Sequence, residues 1–355
     1  MQYASVIARN YRAQAEVLAT SLLSHEDDAN LVVLVIDGDE ADRTMFSDPR
    51  VETALLTDLS IDPRELNRML VFYNLMEMAT AVKPKFLSWL LDRGRAVCFI
   101  DPDTVVYQSF AEIALAAETQ SIVLTPHALK PFPRDGLLPT EHSIMRAGVF
   151  NAGFIAVGPS ARPFLSWWHE RLTTDAVDAT EVGLFTDQRW LDFVPTLFSH
   201  TVCEDPGMNV AYWNVHERGV TRFDRRLVTA DGTPIRFFHF SGFKPGDPGR
   251  LSRHGGDKPR VRLESEPHLS RLCDEYATAL FAAGFGVWSQ EPYRFSSLPV
   301  GLPLDEDLRR LYRMAVVEDG DPTAPDDPLI DGGAALRTWF KERISQDSPP
   351  RDAAG

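Results

Sequence analysis

The sequence predicts an α/β protein built around a mixed, mostly parallel central sheet flanked by helices. Three observations carry this expectation. The chain opens as strand, helix, strand. A short apolar run, Ala96 to Ile100, ends on two acids, Asp101 and Asp103, with Pro102 between them. The composition, 44% hydrophobic and 25% charged, is that of a globular chain with a sizeable core. At 355 residues it could be one extended domain or two.

The elements follow in order. Tyr3 to Ala8 is a short apolar strand. Ala13 to Leu23 then sets Val17, Leu18, Ser21 and Leu22 on one helical face. Leu31 to Ile36 is a continuous apolar run closed by Asp37-Gly38, a buried strand and a turn. Val51 to Leu56 is a third strand, and this opening favours a parallel sheet. Asp62-Pro63 starts a helix as cap and first turn. Helical pattern runs on, with a break near Lys83-Pro84, to a C-cap at Gly94. After the acid-ended strand, Ser109 and Glu112 read as a capping box and Ile122 to Leu124 as a strand. From Thr125 to Gly148 periodicity is lost; prolines, His127, His142 and basic residues suggest a mobile or substrate-facing loop. Val149 to Val157 resumes as a strand. Ser160 caps a helix bearing Trp167 and Trp168, and Thr186-Asp187-Gln188 opens a short one. Arg236 to Ser241 is a strand leading into a Gly-rich basic loop, Gly242 to Gly256. Helices are expected over Leu269 to Ala283, Leu304 to Val317 and Ala334 to Ile344, with Ser345 to Gly355 disordered.

Charge and cysteine content exclude several function classes. The net charge is −15, and a nucleic-acid or anionic-membrane partner would demand a basic face. An anionic small substrate stays open, because one cation and one or two Lys or Arg reverse the field locally. Cys98, Cys203 and Cys273 are far apart, which argues against a disulfide framework or a zinc site. Met1 to Ala8 lacks the pattern of a leader. No apolar run approaches the roughly 18 residues of a membrane helix. A cytoplasmic location is expected.

The acid pair is the first chemical signal. Pro102 cannot extend a central ladder, so the strand stops there and leaves both acids at its carboxyl end. That is where open α/β sheets bind ligands. Carboxylates at this spacing can share one hard divalent cation and leave its other positions to water and phosphate oxygens. Asp-Pro-Asp is equally good turn chemistry. Three further patterns follow in order: Asn151-Ala152-Gly153, Asp187-Gln188, and His239-Phe240-Ser241-Gly242-Phe243-Lys244-Pro245.

As a set, over residues 3 to 245, these resemble the GT-A nucleotide-sugar glycosyltransferases. They are most similar to the family 8-type retaining enzymes of the galactosyltransferase and glycogenin kind. The resemblance implies a GT-A fold with a C-terminal helical extension: a catalytic domain over 1–245, an acceptor-side closing segment over 246–290, and the extension over 291–355. It implies Mn²⁺ or Mg²⁺ held by Asp101, Asp103 and His239, the cation neutralising the departing diphosphate as a Lewis acid. It places Asp187 and Gln188 beside the anomeric carbon, and Asn151 near the sugar hydroxyls. Gly242 and Lys244 match the family's diphosphate-holding Gly and Lys, which it spaces three apart; here they are two apart, and Arg250 or Arg253 are alternatives. Ala8, Asn10, Tyr11 and Asp37 occupy the places that meet base and ribose, and Lys83 that of a basic residue reaching the donor phosphates.

Each residue has a plainer reading too. His239 on an apolar strand suits a hydrogen-bonded core position. Asp187 suits a helix N-terminus. Asn151 and Gly153 suit a bulge. Tyr11 suits a core edge, Asp37 a turn, and Lys83 solvated surface. Trp190, Trp213 and Trp288 could stack on sugars or serve the core. The function expected is metal-dependent transfer from a nucleotide-diphosphate sugar, UDP-linked and with retention, to an acceptor the sequence does not specify. A sugar-1-phosphate nucleotidyltransferase is the alternative enzyme; it normally has a Gly-rich loop after its first strand, and Ala8 to Tyr11 has no glycine. An inactive sugar-nucleotide-binding protein on the same fold is the non-enzymatic alternative.

Overall fold

The computed structural model describes residues 2–347 except 225 and 248. Its centre is a seven-stranded mixed sheet. Strands β1 (Gln2–Ile7), β2 (Asn30–Val35), β3 (Val51–Leu55) and β4 (Val97–Ile100) are near-continuous apolar runs, as a sheet covered on both faces requires. They are joined by β6 (Ile122–Pro126), β7 (Phe150–Val157) and the short Thr201–Val202. The order is Thr201–Val202, β6, β7, β4, β1, β2, β3. β1 runs parallel to β2 and β4, and β2 to β3; only β7 is antiparallel to its neighbours. The acid-ended strand β4 is therefore central.

Helices cover both faces. α1 (Arg12–Leu23) buries Leu18 and Leu22 on one side. On the other lie α2 (Pro63–Phe72), α3 (Leu75–Ala81), α4 (Lys83–Leu91) and α7 (Arg162–Leu172). Asp62 caps α2 by accepting from the Arg64 and Glu65 amides. The expected single helical run breaks a second time, at Tyr73-Asn74. Asn74 and Glu77 form a capping box there, which a pattern search on apolar spacing does not detect.

Three local expectations are corrected. Helix α5 (Ala111–Gln120) has no Ser109/Glu112 capping box. Glu26, from the turn after α1, accepts from both the Ser109 hydroxyl and the Phe110 amide, and Glu112 pairs with Arg236 instead. Ser160 makes no cap for α7; it sits in a 3-10 turn before it. The Thr125 to Gly148 stretch contains a helix, α6 (Glu141–Ala147), capped by Thr140. It is also tied down: Arg260 reaches Asp135 and the carbonyls of Leu137 and Pro139.

A second, three-stranded sheet sits beyond β4. Strand β5 (Thr104–Val106) pairs antiparallel with Phe237–His239, which pairs parallel with Val210–Ala211. A helix over Pro267–Ala282 packs on this sheet and on α1. The C-terminal extension is part of the main core: Leu298, Leu304, Tyr312, Leu336, Trp339 and Phe340 pack with α2 and α7 residues. Its buried Arg309 donates to the Leu70, Val71 and Tyr73 carbonyls, acceptors that the end of α2 leaves without helical partners. The last helix runs Ala334–Asp347, three residues further than expected; the remainder of the expected disordered tail, 348–355, lies outside the described residues. Among the described residues, no helix is long and apolar enough to cross a membrane.

Candidate active site

Asp101 and Asp103 leave the carboxyl end of β4, and the pairing of β5 with Phe237–His239 places Thr104 opposite His239. The Phe240 amide donates to the Asp103 carbonyl at 2.8 Å, fixing the register. His239 Nε2 then lies 3.0 Å from Asp103 Oδ1 and 3.7 Å from Asp101 Oδ2. One ligand atom from each of the three residues falls within 4.8 Å of the others. A Cβ on Gly153 would approach His239 Cε1 to 2.5 Å and Asp101 Oδ2 to 2.7 Å, so the cluster forms only against a glycine. Trp213 stands edge-on to His239, with ring centroids 5.2 Å apart, and is buried core rather than an exposed platform.

The charges are strongly coupled. Burial pushes the Asp101 carboxyl up to about 6, against the pull of Lys83 and His239. Burial also acts on Asp103, but the His239 ring holds its carboxyl below the usual range. The His239 imidazole is correspondingly raised: burial opposes its charge, and Asp103 and Asp101 outweigh that. Two hard carboxylate oxygens and one imidazole nitrogen, set this close, fit Mn²⁺ or Mg²⁺.

Lys83 and Asp187 form a buried ion pair behind this cluster. Nζ is 2.6 Å from Asp187 Oδ2, with both side chains 3% exposed. The ammonium also donates to the Ala152 carbonyl and lies over the Phe99 ring. Gln188 and Asn151 hydrogen-bond to each other at 2.9 Å, next to the β7 backbone. His127 completes this group: its Nε2 faces Asn151 Nδ2, and burial pulls its imidazole down to about 4.

On the other side of Asp103 lies an open cleft enclosing about 150 Å³. It is lined by Tyr11, Gln14, Gly242, Lys244, Arg250, Arg253 and Tyr276, among others. The three cations are exposed, and among the described residues none has a carboxylate partner. Elsewhere in this acidic chain arginines are commonly tied, as Arg9 is to Asp39 and Asp42, and Arg313 to Asp175. Gln14 Oε1 and Tyr276 Oη are buried there with no protein partner. Gly242 has φ +69°, and a Cβ would meet His254 and Ser252.

The remaining expected residues are split. Tyr11 lines the cleft, but Ala8 and Asp37 do not. Asp37 is buried, accepts from the Arg9 amide at 2.8 Å, and lies under the C-terminal segment near the Arg294 amide. The Ala8 carbonyl accepts from the Tyr11 amide, and Asn10 Oδ1 is buried without a protein partner. Trp288 stacks on Arg12, and Trp190 packs on Trp167. Sequence reasoning missed Asn209, Gln14 and Tyr276. Asn209 has φ +50°, which asparagine tolerates better than most residues, but no local pattern announces it.

No family model matches the chain. Two curated relatives come from Bacillus subtilis (strain 168). Uncharacterized protein YfnF is 26% identical over 251 residues, covering 68% of this chain and 81% of its own length. Uncharacterized protein YfnD is 27% identical over 250 residues, covering 68% and 77%. Among solved structures, the chain is similar to the galactosyltransferase LgtC in complex with donor and acceptor sugar analogs, at TM-score 0.47 and 15% identity, over 79% of this chain and 96% of that one. It is also similar to the glycosyltransferase GlyE of Streptococcus pneumoniae TIGR4, at TM-score 0.44 and 14% identity, over 84% and 66%.

Proposed function

We propose that this chain is a metal-dependent glycosyltransferase that moves a sugar from a nucleotide-diphosphate sugar, UDP-linked and with retention, to a sugar-containing acceptor. One observation carries the reading. The Asp101, Asp103 and His239 cluster stands at the end of the central strand and opens directly onto a cleft with three cations that have no carboxylate partner among the described residues. An anion that bridges a divalent cation and basic side chains is the ligand such a pairing suits, and a diphosphate has that form. Asp101, Asp103 and His239 would hold the cation, which supplies charge neutralisation for the leaving diphosphate. The cleft is smaller than the ~300–1,000 Å³ of a typical ligand pocket, so it suits the diphosphate rather than the whole donor.

The chain's own residues then divide the work. Lys244, Arg250 and Arg253 bind the phosphate oxygens, so the 246–290 segment serves the donor side as well as the acceptor side. Tyr11 and Asn10 lead toward the base. Asp187 supports the positive charge that develops on the sugar, and Lys83 balances that carboxylate from behind instead of reaching the phosphates. Gln188 and Asn151 shape the wall around it. The Asp-Asp-His set and the absence of a Gly-rich first loop favour this reading over a nucleotidyltransferase, and the completeness of the set favours activity over an inactive binder.

The test is a donor screen that reads released UDP or GDP across several sugars, with Mn²⁺, Mg²⁺ or excess EDTA. Turnover of a UDP-sugar that EDTA abolishes is expected; full activity in EDTA would sink the metal assignment. The anomeric proton of the product, read by NMR, decides retention: an α-linked donor giving a β-linked product would overturn that part alone.

A further inference from the structure

The buried amides behind His239 form a chain whose direction is fixed at its far end. Gln188 lies between two backbone groups of β7 and its approach: Nε2 faces the Ala147 carbonyl at 3.0 Å, and Oε1 faces the Ala152 amide at 3.1 Å. A carbonyl only accepts and a backbone amide only donates, so Gln188 has one orientation. Its Oε1 must then accept from Asn151 Nδ2. A second anchor agrees. His127 Nδ1 faces the Val149 carbonyl at 3.2 Å and therefore carries the proton, leaving Nε2 to accept from Asn151 Nδ2 at 3.3 Å. Asn151 Oδ1 in turn accepts from the Gly153 amide at 3.1 Å and from Asn209 Nδ2 at 2.9 Å. All four hydrogen-bonding positions of the Asn151 amide are thereby used. Asn209 is left presenting Oδ1 to His239 Nδ1 at 3.2 Å. Every side chain in the chain is buried.

We propose that Asn209, Asn151 and Gln188 act as a one-directional amide relay that fixes the His239 proton on Nδ1 and keeps the Nε2 lone pair aimed between Asp101 and Asp103. They are positioning residues for a divalent cation, and the proposal rests on the metal-dependent reading of the site. With the relay in place, the alternative tautomer would set a bare Nδ1 against the Asn209 oxygen, two lone pairs facing each other in a buried site. Nε2 must instead meet the two carboxylates through a cation. The relay explains why Asn209 keeps a left-handed backbone conformation: the φ of +50° lets its side chain face His239 and Asn151 together. It also gives Gln188 a role that its buried, doubly anchored amide can perform without touching substrate.

The test reads the ring directly. Long-range ¹H–¹⁵N spectra of histidine-labelled protein saturated with diamagnetic Mg²⁺ should show His239 Nδ1 protonated and Nε2 without a proton. Bare Nδ1 in the unmodified protein would overturn the proposal with no variant needed. Asn209→Leu should move the proton to Nε2, where Asp103 accepts it, and weaken Mn²⁺ binding, read by EPR, on the order of tenfold or more, the usual scale for a ligand-orienting partner. Asn209→Asp retains an acceptor and should keep Nδ1 protonated with Mn²⁺ bound. Asn151→Leu, which cannot accept from Asn209, should lose the tautomer. Leucine variants that fold and hold Mn²⁺ within twofold of the parent would refute the positioning role. A parent protein with Nδ1 protonated that binds no Mn²⁺ would refute the metal reading and, with it, the relay's purpose, while a transferase assay that fails with Mn²⁺ bound would leave the relay supported.

Discussion

The two sides of the Asp101–Asp103 pair are built on opposite principles. Behind it, toward β7, the polar groups are buried and largely partnered: Lys83 with Asp187, Gln188 with two backbone groups, Asn151 with four partners. In front of it, among the described residues, the cleft holds three cations without carboxylates and two buried polar atoms without protein partners. Buried polar groups in low dielectric are costly unless satisfied, so a satisfied network rigidifies. An unsatisfied one is stable only where water or a ligand completes it. The rear wall is thus a scaffold that fixes where charges stand, and the front is a receptor for an anion.

The sharpest way to break the comparison is to unbalance the rear wall. Lys83→Met would leave the Asp187 carboxylate buried beside Asp101 with no cation. Loss of one partner of such a pair costs about 3–5 kcal/mol. Urea unfolding should report a loss of that size, while Lys83→Met combined with Asp187→Leu should recover most of it because no charge is left stranded. A single variant within 1 kcal/mol of the parent would show that the pair is not desolvated.

The next effect is chemical. Asp103→Ala should depress turnover by at least ~3 kcal/mol in transition-state stabilisation, the scale of removing a dominant electrostatic contact. Nucleotide release under saturating donor measures it, and near-normal turnover would remove Asp103 from the metal site. This pair was also the most legible part of the chain. A strand that must be apolar to be buried, stopped by Pro102, announces its acids from sequence alone. Asp187 and Gln188 were visible as residues, but not that Lys83 would bury against one and the β7 backbone would lock the other. Those partners are separated by 104 and 36 residues, and only the folded sheet brings them together. Asn209 and Tyr276 were illegible for the same reason: nothing local distinguishes a relay asparagine from a turn, or a cleft tyrosine from one more apolar position on a helix.

The rear wall also predicts a pH dependence. His127 is neutral in the fold, held down to about 4 by burial, against about 6.5 for a free imidazole. Its folded value is lowered, so between these limits the unfolded chain binds a proton that the fold refuses. Its contribution is therefore intact above about pH 6.5 and declines as pH falls toward 4, by about 2 kcal/mol at pH 5. His127→Gln keeps a donor and an acceptor but does not titrate. The stability gap between parent and variant should shift by that amount between pH 7.5 and pH 5. A gap that stays constant would mean that protonation of His127 is accommodated in the fold.

The smallest effect sharpens the comparison from the front. If the cleft is a receptor and not a scaffold, its residues can be removed with little loss of stability. Arg253→Ala should leave the unfolding midpoint near that of the parent, since surface substitutions away from packed features usually fall within ~0.5 kcal/mol. Its effect should appear in binding: a roughly tenfold weaker Kd for UDP in the presence of Mn²⁺, read by calorimetry, equivalent to about 1.4 kcal/mol. Tyr276→Phe should follow the same pattern with a smaller loss, because it removes one neutral hydrogen bond, worth about 0.5–1.5 kcal/mol. Its ring would stay stacked on Phe240, 3.9 Å between centroids, so packing is preserved. Lys244→Ala and Arg250→Ala then rank the cations. The shortened Gly242 to Lys244 spacing makes Arg253 the stronger candidate, since it follows Ser252 and Gly242 where the loop folds back: its amide donates to the Gly242 carbonyl at 3.0 Å. Lys244→Ala producing the larger loss would mean that the loop reaches the phosphates despite its missing residue. Destabilisation by Arg253→Ala without weaker binding would assign the cleft to the scaffold and erase the difference between the two sides.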